Sequence, residues 1–366
     1  MKSERLKSGF TTGACSASSA KSALEALIKR TPLDFVEIPF PDGSRHTFKI
    51  HRTIIKDDEA FCSVIKDAGD DPDVTNGAEI CAKVRFIQAK EYIIIKGGEG
   101  VGIVTKPGLA VKVGEPAINP VPRQMIKEAI SEVPIHYALK DNQSVEVTIS
   151  ITRGEELSRK TLNYRLGIVG GLSVLGTTGI VRPLSVDAWT ATIKSSMDVA
   201  KALNRDEIVL STGRTSEKAH MTKYHLPEEC YVMMGDYIDF AFNEAQRHNF
   251  KTIHLCAQWA KMIKIAMGNH NTHVRFGVID IQRTLELFNH LWIHEKTFKS
   301  PFAVLCQYKY NTLRELFEKI ISLPVEQSSG VFEILLRHVA KIFRDKCKHK
   351  EIIIHLITYD GKVISY

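Results

Sequence analysis

Two stretches of this chain hold too much glycine and proline for regular helix or ordinary strand. They are GGEGVGIVTKPGLAVKVGEPAINPVP, from Gly97 to Pro122, and LGIVGGLSVLGTTGIVRP, from Leu166 to Pro183. The first follows an apolar β-like run at 92–95, and the second opens on another at 166–169. Strands that end in such corners limit the fold to one with elaborate loops at sheet edges. Because residues without Cβ permit close approach of main chain, these corners are expected to bring backbone near ligands.

The first part of the chain reads as α+β. A helix is expected over 14–29, where Ala17, Ala20, Leu24, Leu27 and Ile28 recur at helical spacing. β-like runs follow at 35–40, 46–50, 61–66, 79–86 and 91–96. In the fourth, Ile80, Ala82, Val84 and Phe86 alternate with more polar neighbours, as a sheet with one wet face requires. A helix from Pro120 or Val121 to about Ser131 uses proline in its first turn, and a strand is expected at 145–151. Past Arg153-Gly154-Glu155-Glu156 the rhythm changes. Strands at 207–210, 231–234 and 252–256 now alternate with helices at 186–203, 237–247 and 259–267. Helices at 313–321 and 331–343 and a strand at 351–358 complete the pattern. Such alternation argues for a mostly parallel sheet covered by helices. The expectation is an α+β N-terminal domain, residues 1–155, followed by an α/β Rossmann-like domain, residues 156–366. One short echo stands out: Phe10-Thr11-Thr12-Gly13 and Gly176-Thr177-Thr178-Gly179.

Forty-nine Lys and Arg against 42 Asp and Glu leave a net charge of +7. That excess suits an anionic small molecule. No nucleic-acid partner is expected, since RNA-binding signatures, C2H2 spacing and basic runs interleaved with aromatics are missing from the sequence. The seven cysteines are scattered and never form C-x-x-C, which argues against a disulfide framework and a zinc site. The stretch MKSERLKSGF lacks the apolar centre of a secretory signal. Thr177, Thr178 and several glycines break the longest weakly charged run, so no membrane span is expected. A cytoplasmic location follows from these readings, and a homo-oligomer is left open.

Neither glycine loop has the Lys-Ser or Lys-Thr of a P-loop, and the second lacks a clean G-x-G-x-x-G. A dinucleotide is therefore a poor fit. One reading is a strand-to-helix turn that needs glycine only for geometry; the other is a cofactor without pyrophosphate, of which S-adenosylmethionine is the commonest. The segment Ser211-Thr212-Gly213-Arg214-Thr215-Ser216-Glu217-Lys218 follows a strand and combines hydroxyls with fixed cations, which suits carboxylate binding. A helix N-cap with first-turn charges is the structural alternative. Lys66-Asp67-Ala68-Gly69-Asp70-Asp71-Pro72-Asp73 crowds four carboxylates without an EF-hand register, so a polar turn is favoured there. His270 and His273 lie three apart with no partner ligands nearby in sequence, and a C-capping turn is favoured. No metal ligand and no catalytic residue is assigned.

Taken together these segments resemble the CbiD family of cobalt-precorrin-5B C1-methyltransferases. The residues that carry the resemblance are SGFTTGACSASSAK (8–21), VIKDAGDDPDVTNGAEI (64–80), GGEGVGIVTKPGLAVKVGEPAINPVPR (97–123), GGLSVLGTTGIVRPLS (170–185) and STGRTSE (211–217), with Met234-Gly235-Asp236-Tyr237 and Asn271-Thr272-His273. One stretch departs: Ala257-Gln258-Trp259-Ala260-Lys261 stands where the family has a Gly-His-Ile-Gly-Lys-like sequence.

The resemblance implies methyl transfer from S-adenosylmethionine to C1 of cobalt-precorrin-5B, giving cobalt-precorrin-6A in anaerobic cobalamin biosynthesis. Its substrate would be a polycarboxylate cobalt tetrapyrrole. On that footing Gly170, Gly171, Gly176, Thr177, Thr178, Gly179, Ser211, Thr212 and Gly213 are expected to bind the cofactor. Thr11, Thr12, Gly13, Gly97, Gly98, Gly100, Lys106, Arg214 and Lys218 are expected to bind the substrate. A non-catalytic carrier of an anionic corrinoid is the alternative.

Overall fold

The computed structural model describes residues 6–134, 143–183, 186–268, 280–295, 300–347 and 350–366. The chain forms two compact units, one ending at Val186 and the other beginning at Asp187. The architecture is mixed α/β.

In the first unit, β1 (Gly9–Phe10) leads directly into α1 (Thr12–Lys29). Strands β2 (Phe35–Pro39), β3 (Arg45–Lys49), β4 (Arg52–Ile55), β5 (Glu59–Ile65), β6 (Glu79–Gln88), β7 (Ile93–Gly97) and β8 (Ile103–Val104) follow. Then come α2 (Pro120–Ser131), β9 (Gln143–Ile151), α3 (Gly154–Ser158), β10 (Ile168–Val169) and β11 (Ile180–Val181). The central sheet has the order β4-β5-β6-β9-β7, antiparallel except where β7 runs parallel to β9. Helix α1 lies against this sheet and against α2. Its sequence is rich in alanine and serine, and small side chains let helix and sheet backbones come close, so nearly all of it is buried. Thr11 caps it, its hydroxyl accepting from the Ala14 amide at 3.2 Å. Proline opens α2, as its sequence foretold.

The division expected near residue 155 is not where the chain parts. Strand β10 pairs with β8 and β11 pairs with β1, so the second glycine loop belongs to the first unit. Hydrogen bonds to segments far upstream outweigh the change of rhythm seen in the sequence.

The second unit runs α4 (Val186–Ala202), β12 (Glu207–Ser211), α5 (Arg214–Tyr224), β13 (Tyr231–Met233), α6 (Ile238–Arg247) and β14 (Thr252–Gln258). It continues with α7 (Trp259–Ala266), α8 (Ile281–Glu295), α9 (Phe302–Leu305), α10 (Leu313–Ile321), α11 (Val325–Lys346), β15 (Glu351–Ile357) and β16 (Val363–Ser365). The sheet order is β13-β12-β14-β15-β16; the first four strands are mutually parallel and β16 is an antiparallel edge. Alternation along the strands splits the side chains between two faces. Ile208, Leu210, Ile253, Leu255, Ile354 and Leu356 join the large apolar core with α4, α6, α7, α8, α10 and α11. Val209, Tyr231, Cys256 and Ile357 form a smaller cluster on the other face, packed against Ala219 and Met221 of α5.

Candidate functional site

The two glycine loops answer first to their own chain. A Cβ on Gly100 would lie 2.0 Å from the Ile151 carbonyl oxygen, and one on Gly171 would lie 2.4 Å from that of Gly100. Gly97 is tight against Pro116, Gly98 against Ser150, Gly13 against Pro122, Gly176 against Thr11, and Gly179 against the Phe40 ring. These glycines admit neighbouring strands and loops. Gly170 differs: its φ is +81° and a Cβ there would meet nothing within 4 Å.

The echoed segments are partners in space. Phe10 pairs with Ile180, the Thr11 amide donates to the Gly179 carbonyl at 2.9 Å, and the Gly13 amide donates to that of Leu175 at 3.0 Å. Thr11 and Thr12 are buried with their hydroxyls engaged on main chain, whereas Thr177 and Thr178 are exposed. Lys106 lays its stem over Gly167 and donates to the Arg165 carbonyl at 3.3 Å. The carboxylate-rich turn is held from within: Asp73 pairs with the buried Lys66 at 2.7 Å and accepts from Thr75, and Asp67 pairs with Lys7. The segment carrying His270 and His273, with Asn271-Thr272-His273, lies outside the described residues.

In the second unit the chain leaves β12 to form β13 on one side and β14 on the other. The crevice outside the carboxyl ends of β12 and β14 is therefore the point where strand order reverses, the usual ligand position in open parallel sheets. Ser211 ends β12, buried, its hydroxyl donating to the buried carboxylate of Glu217 at 3.0 Å. The Thr212 amide donates to the Cys256 carbonyl at 3.0 Å and the Met234 amide to that of Ser211 at 2.9 Å, which tie together the ends of three strands. Gly213 then caps α5 in extended conformation, φ 172°, and a Cβ there would meet only open space. The amides of the first turn carry the positive end of the helix dipole. Arg214 and Lys218, four residues apart on one helical face, are both exposed.

Two further elements complete this edge. Lys261, in the first turn of α7, donates to the Thr212 carbonyl at 2.7 Å and pairs with Asp236 at 3.2 Å. After β13, Gly235 (φ +59°) lies 3.8 Å, measured from an added Cβ, from the half-exposed Trp189 ring, which is also near Tyr237. Sequence reasoning found Ser211 to Lys218 but attached no role to Lys261, Asp236 or Trp189. The stretch Ala257 to Lys261, noted for its departure from the family pattern, forms the end of β14 and the start of α7 on this edge.

Of the expected cofactor residues, Gly170, Gly171 and Gly176 to Gly179 belong to the first unit, and Ser211, Thr212 and Gly213 to the second. Of the expected substrate residues, only Arg214 and Lys218 are in the second.

A helix N-terminus at the switch point of a parallel sheet stands where α/β proteins usually bind small molecules. Residues 1–183 match the CbiD family model. A cobalt-precorrin-5B C(1)-methyltransferase of Desulfotalea psychrophila is 45% identical over 99% of this chain and 98% of its own length. Another, from Geobacter metallireducens, is 44% identical over 100% of both chains. The chain belongs to the CbiD family, as its sequence motifs indicated, and its relatives are methyltransferases by name. A crystal structure of a cobalamin biosynthesis protein (cbiD) from Archaeoglobus fulgidus is 27% identical, covering 72% of this chain and 81% of that one at a TM-score of 0.40. Among the described residues no helix is long and apolar enough to cross a membrane.

Proposed function

We propose that this chain is a methyltransferase that transfers a methyl group from S-adenosylmethionine to C1 of cobalt-precorrin-5B, forming cobalt-precorrin-6A in anaerobic cobalamin biosynthesis. The observation that carries this reading is similarity along the whole chain to proteins named for that reaction. The Rossmann-like reading of the second unit is supported by its four parallel strands and by the reversal of order between β12 and β14.

S-adenosylmethionine would lie at the crevice. The open Gly213 corner and the first amides of α5 suit the carboxylate of its methionyl group. Trp189 and Tyr237 offer aromatic faces to its adenine. Lys261 and Asp236, paired, fix the loops on either side. Arg214 and Lys218 are proposed to meet acetate or propionate groups of the tetrapyrrole. In the first unit Lys106 is proposed for that role, and Gly170, Thr177 and Thr178, read from the sequence as cofactor residues, are proposed for it instead because the Gly170 corner is open and both threonines are exposed. The buried Thr11, Thr12, Gly13 and Gly100 and the half-buried Gly97 and Gly98 shape these loops.

The reaction is an in-line displacement. C1 supplies an electron pair to the methyl carbon, the carbon–sulfur bond breaks with its electrons going to sulfur, and S-adenosylhomocysteine leaves. The sulfonium charge disperses as sulfur becomes a neutral thioether, so a site that excludes water and aligns the two reactants accelerates the step. Alignment alone supplies up to roughly 7–11 kcal/mol in ideal cases. The reading is tested by anaerobic incubation with methyl-labelled S-adenosylmethionine and cobalt-precorrin-5B, followed by mass spectrometry. A gain of one labelled methyl group is expected. Tetrapyrrole binding with neither saturable S-adenosylmethionine binding nor methyl gain would mark a carrier instead.

A further inference from the structure

Beneath α5, on the face of the second sheet away from the large core, three histidines converge. His220 is on the second turn of α5, His254 on β14 and His355 on β15, and all are buried. One nitrogen from each lies within 4.8 Å of the other two. His254 Nδ1 and His355 Nε2 are 2.9 Å apart. Each ring is also held on its outer side by an oxygen. His220 Nδ1 is 3.1 Å from the Tyr231 hydroxyl, His254 Nε2 is 3.4 Å from Glu207, and His355 Nδ1 is 2.8 Å from Ser365 Oγ.

We infer that His220, His254 and His355 form a binding site for a divalent transition-metal ion of the zinc class. Outer oxygen partners that fix tautomer and ring orientation are the usual support of metal-ligating histidines. A chain of hydrogen bonds from Tyr224 through Ser365, His355 and His254 to Glu207 satisfies two of the rings without a metal. It leaves out the third. His220 Nε2 is buried with no hydrogen-bond partner, a costly arrangement for an imidazole nitrogen. A metal accepting its lone pair removes that cost.

Burial first, then the neighbouring imidazoles and Lys223, lower His220 and His355. Burial also lowers His254, against the opposing pull of Glu207 and Glu351. Neutral imidazoles with free lone pairs are the form that binds metal near pH 7. Tetrahedral zinc, about 2.0–2.1 Å from each nitrogen, sets ligands roughly 3.3 Å apart. The His254–His355 pair is near that spacing, and a modest inward turn of His220 completes three positions, with the fourth left for water. The borderline softness of three imidazoles excludes calcium and magnesium. Such an ion would staple α5 to β14 and β15.

The test uses the full chain, stripped with a chelator and then titrated with Zn²⁺ alone by calorimetry, with Co²⁺ as a spectroscopic probe. The expected result is one tight equivalent of Zn²⁺ and intense visible Co²⁺ bands. His220→Asn and His355→Asn should each lower Zn²⁺ affinity at least a hundredfold and abolish those bands. Tyr231→Phe, which keeps all three ligands, should weaken binding about 10–100-fold. Wild-type protein that takes up no stoichiometric Zn²⁺ would overturn the site and leave a hydrogen-bonded cluster only. So would a folded His220→Asn protein, judged by circular dichroism, that holds Zn²⁺ as tightly as wild type.

Discussion

Thr12 and Leu175 exchange two hydrogen bonds across 163 positions of sequence. The Leu175 amide donates to Thr12 Oγ1 at 2.9 Å, and the hydroxyl is 3.2 Å from the Leu175 carbonyl oxygen, to which it donates. Thr12→Val keeps the shape and removes the acceptor of the Leu175 amide, while the Leu175 carbonyl keeps its bond from the Gly13 amide. A loss of about 0.5–1.5 kcal/mol in urea unfolding is expected, with Thr12→Ser restoring most of it. If Thr12→Val is as stable as wild type, the contact is not what holds the second glycine loop to α1.

The glycines separate into two kinds, and alanine substitution tells them apart. Gly100→Ala faces both a φ of +76° and the Ile151 carbonyl oxygen at 2.0 Å. It should cost more than about 3 kcal/mol or prevent folding of the first unit. Gly213→Ala has an extended backbone and open space, so thermal unfolding should fall by less than about 1 kcal/mol. Its effect should appear in calorimetry with S-adenosylmethionine, as weaker binding at nearly unchanged stability. Equal losses of stability at the two positions would contradict this division.

Lys261 offers a test of the crevice itself. Lys261→Met keeps the stem and removes the bonds to Thr212 and Asp236. S-adenosylmethionine affinity should drop about tenfold, equivalent to about 1.4 kcal/mol. Unchanged affinity would place the cofactor elsewhere.

Acid stability should respond to Glu132. Bonds from Arg45 and then Lys21 bring its carboxyl down to about 2 from the ordinary 4.5. The unfolded chain therefore binds the proton more readily, so this stabilisation is complete above pH 4.5 and is lost as pH falls toward 2. Denaturant titrations between pH 5 and pH 2 should show a shallower decline for Glu132→Gln than for wild type. Parallel curves would mean that other carboxylates govern the acid limb.

Local pattern made much of this fold legible. The helix expected over 14–29 and the strand expected over 79–86 are present as α1 and β6, because helical spacing and alternation are short-range signals that packing here reinforces. The carboxylate-rich turn is likewise the polar turn its composition suggested. Helix α8 went unread although Leu285, Phe288 and Trp292, all buried, carry a helical repeat. Two features were not legible from local pattern. The echo of Thr-Thr-Gly hinted at a relation between residues 10–13 and 176–179 but not at pairing, which depends on where the intervening chain turns. Nor does anything near His220, His254 or His355 mark them as neighbours. One lies on a helix and two on adjacent strands, and a hydrogen bond joins residues 101 positions apart.

The pairing of Gly9 with Val181 sets an order of events during synthesis. A ribosome adding about 5–20 residues each second needs about 10–30 s to pass from one to the other. Throughout that interval the segment leading into Thr12 has its contacts with residues 67–69 but not its strand partner at 180–181. That edge of the nascent first unit stays unpaired until nearly its last residue emerges, and a chaperone acting on this protein has that window in which to bind there.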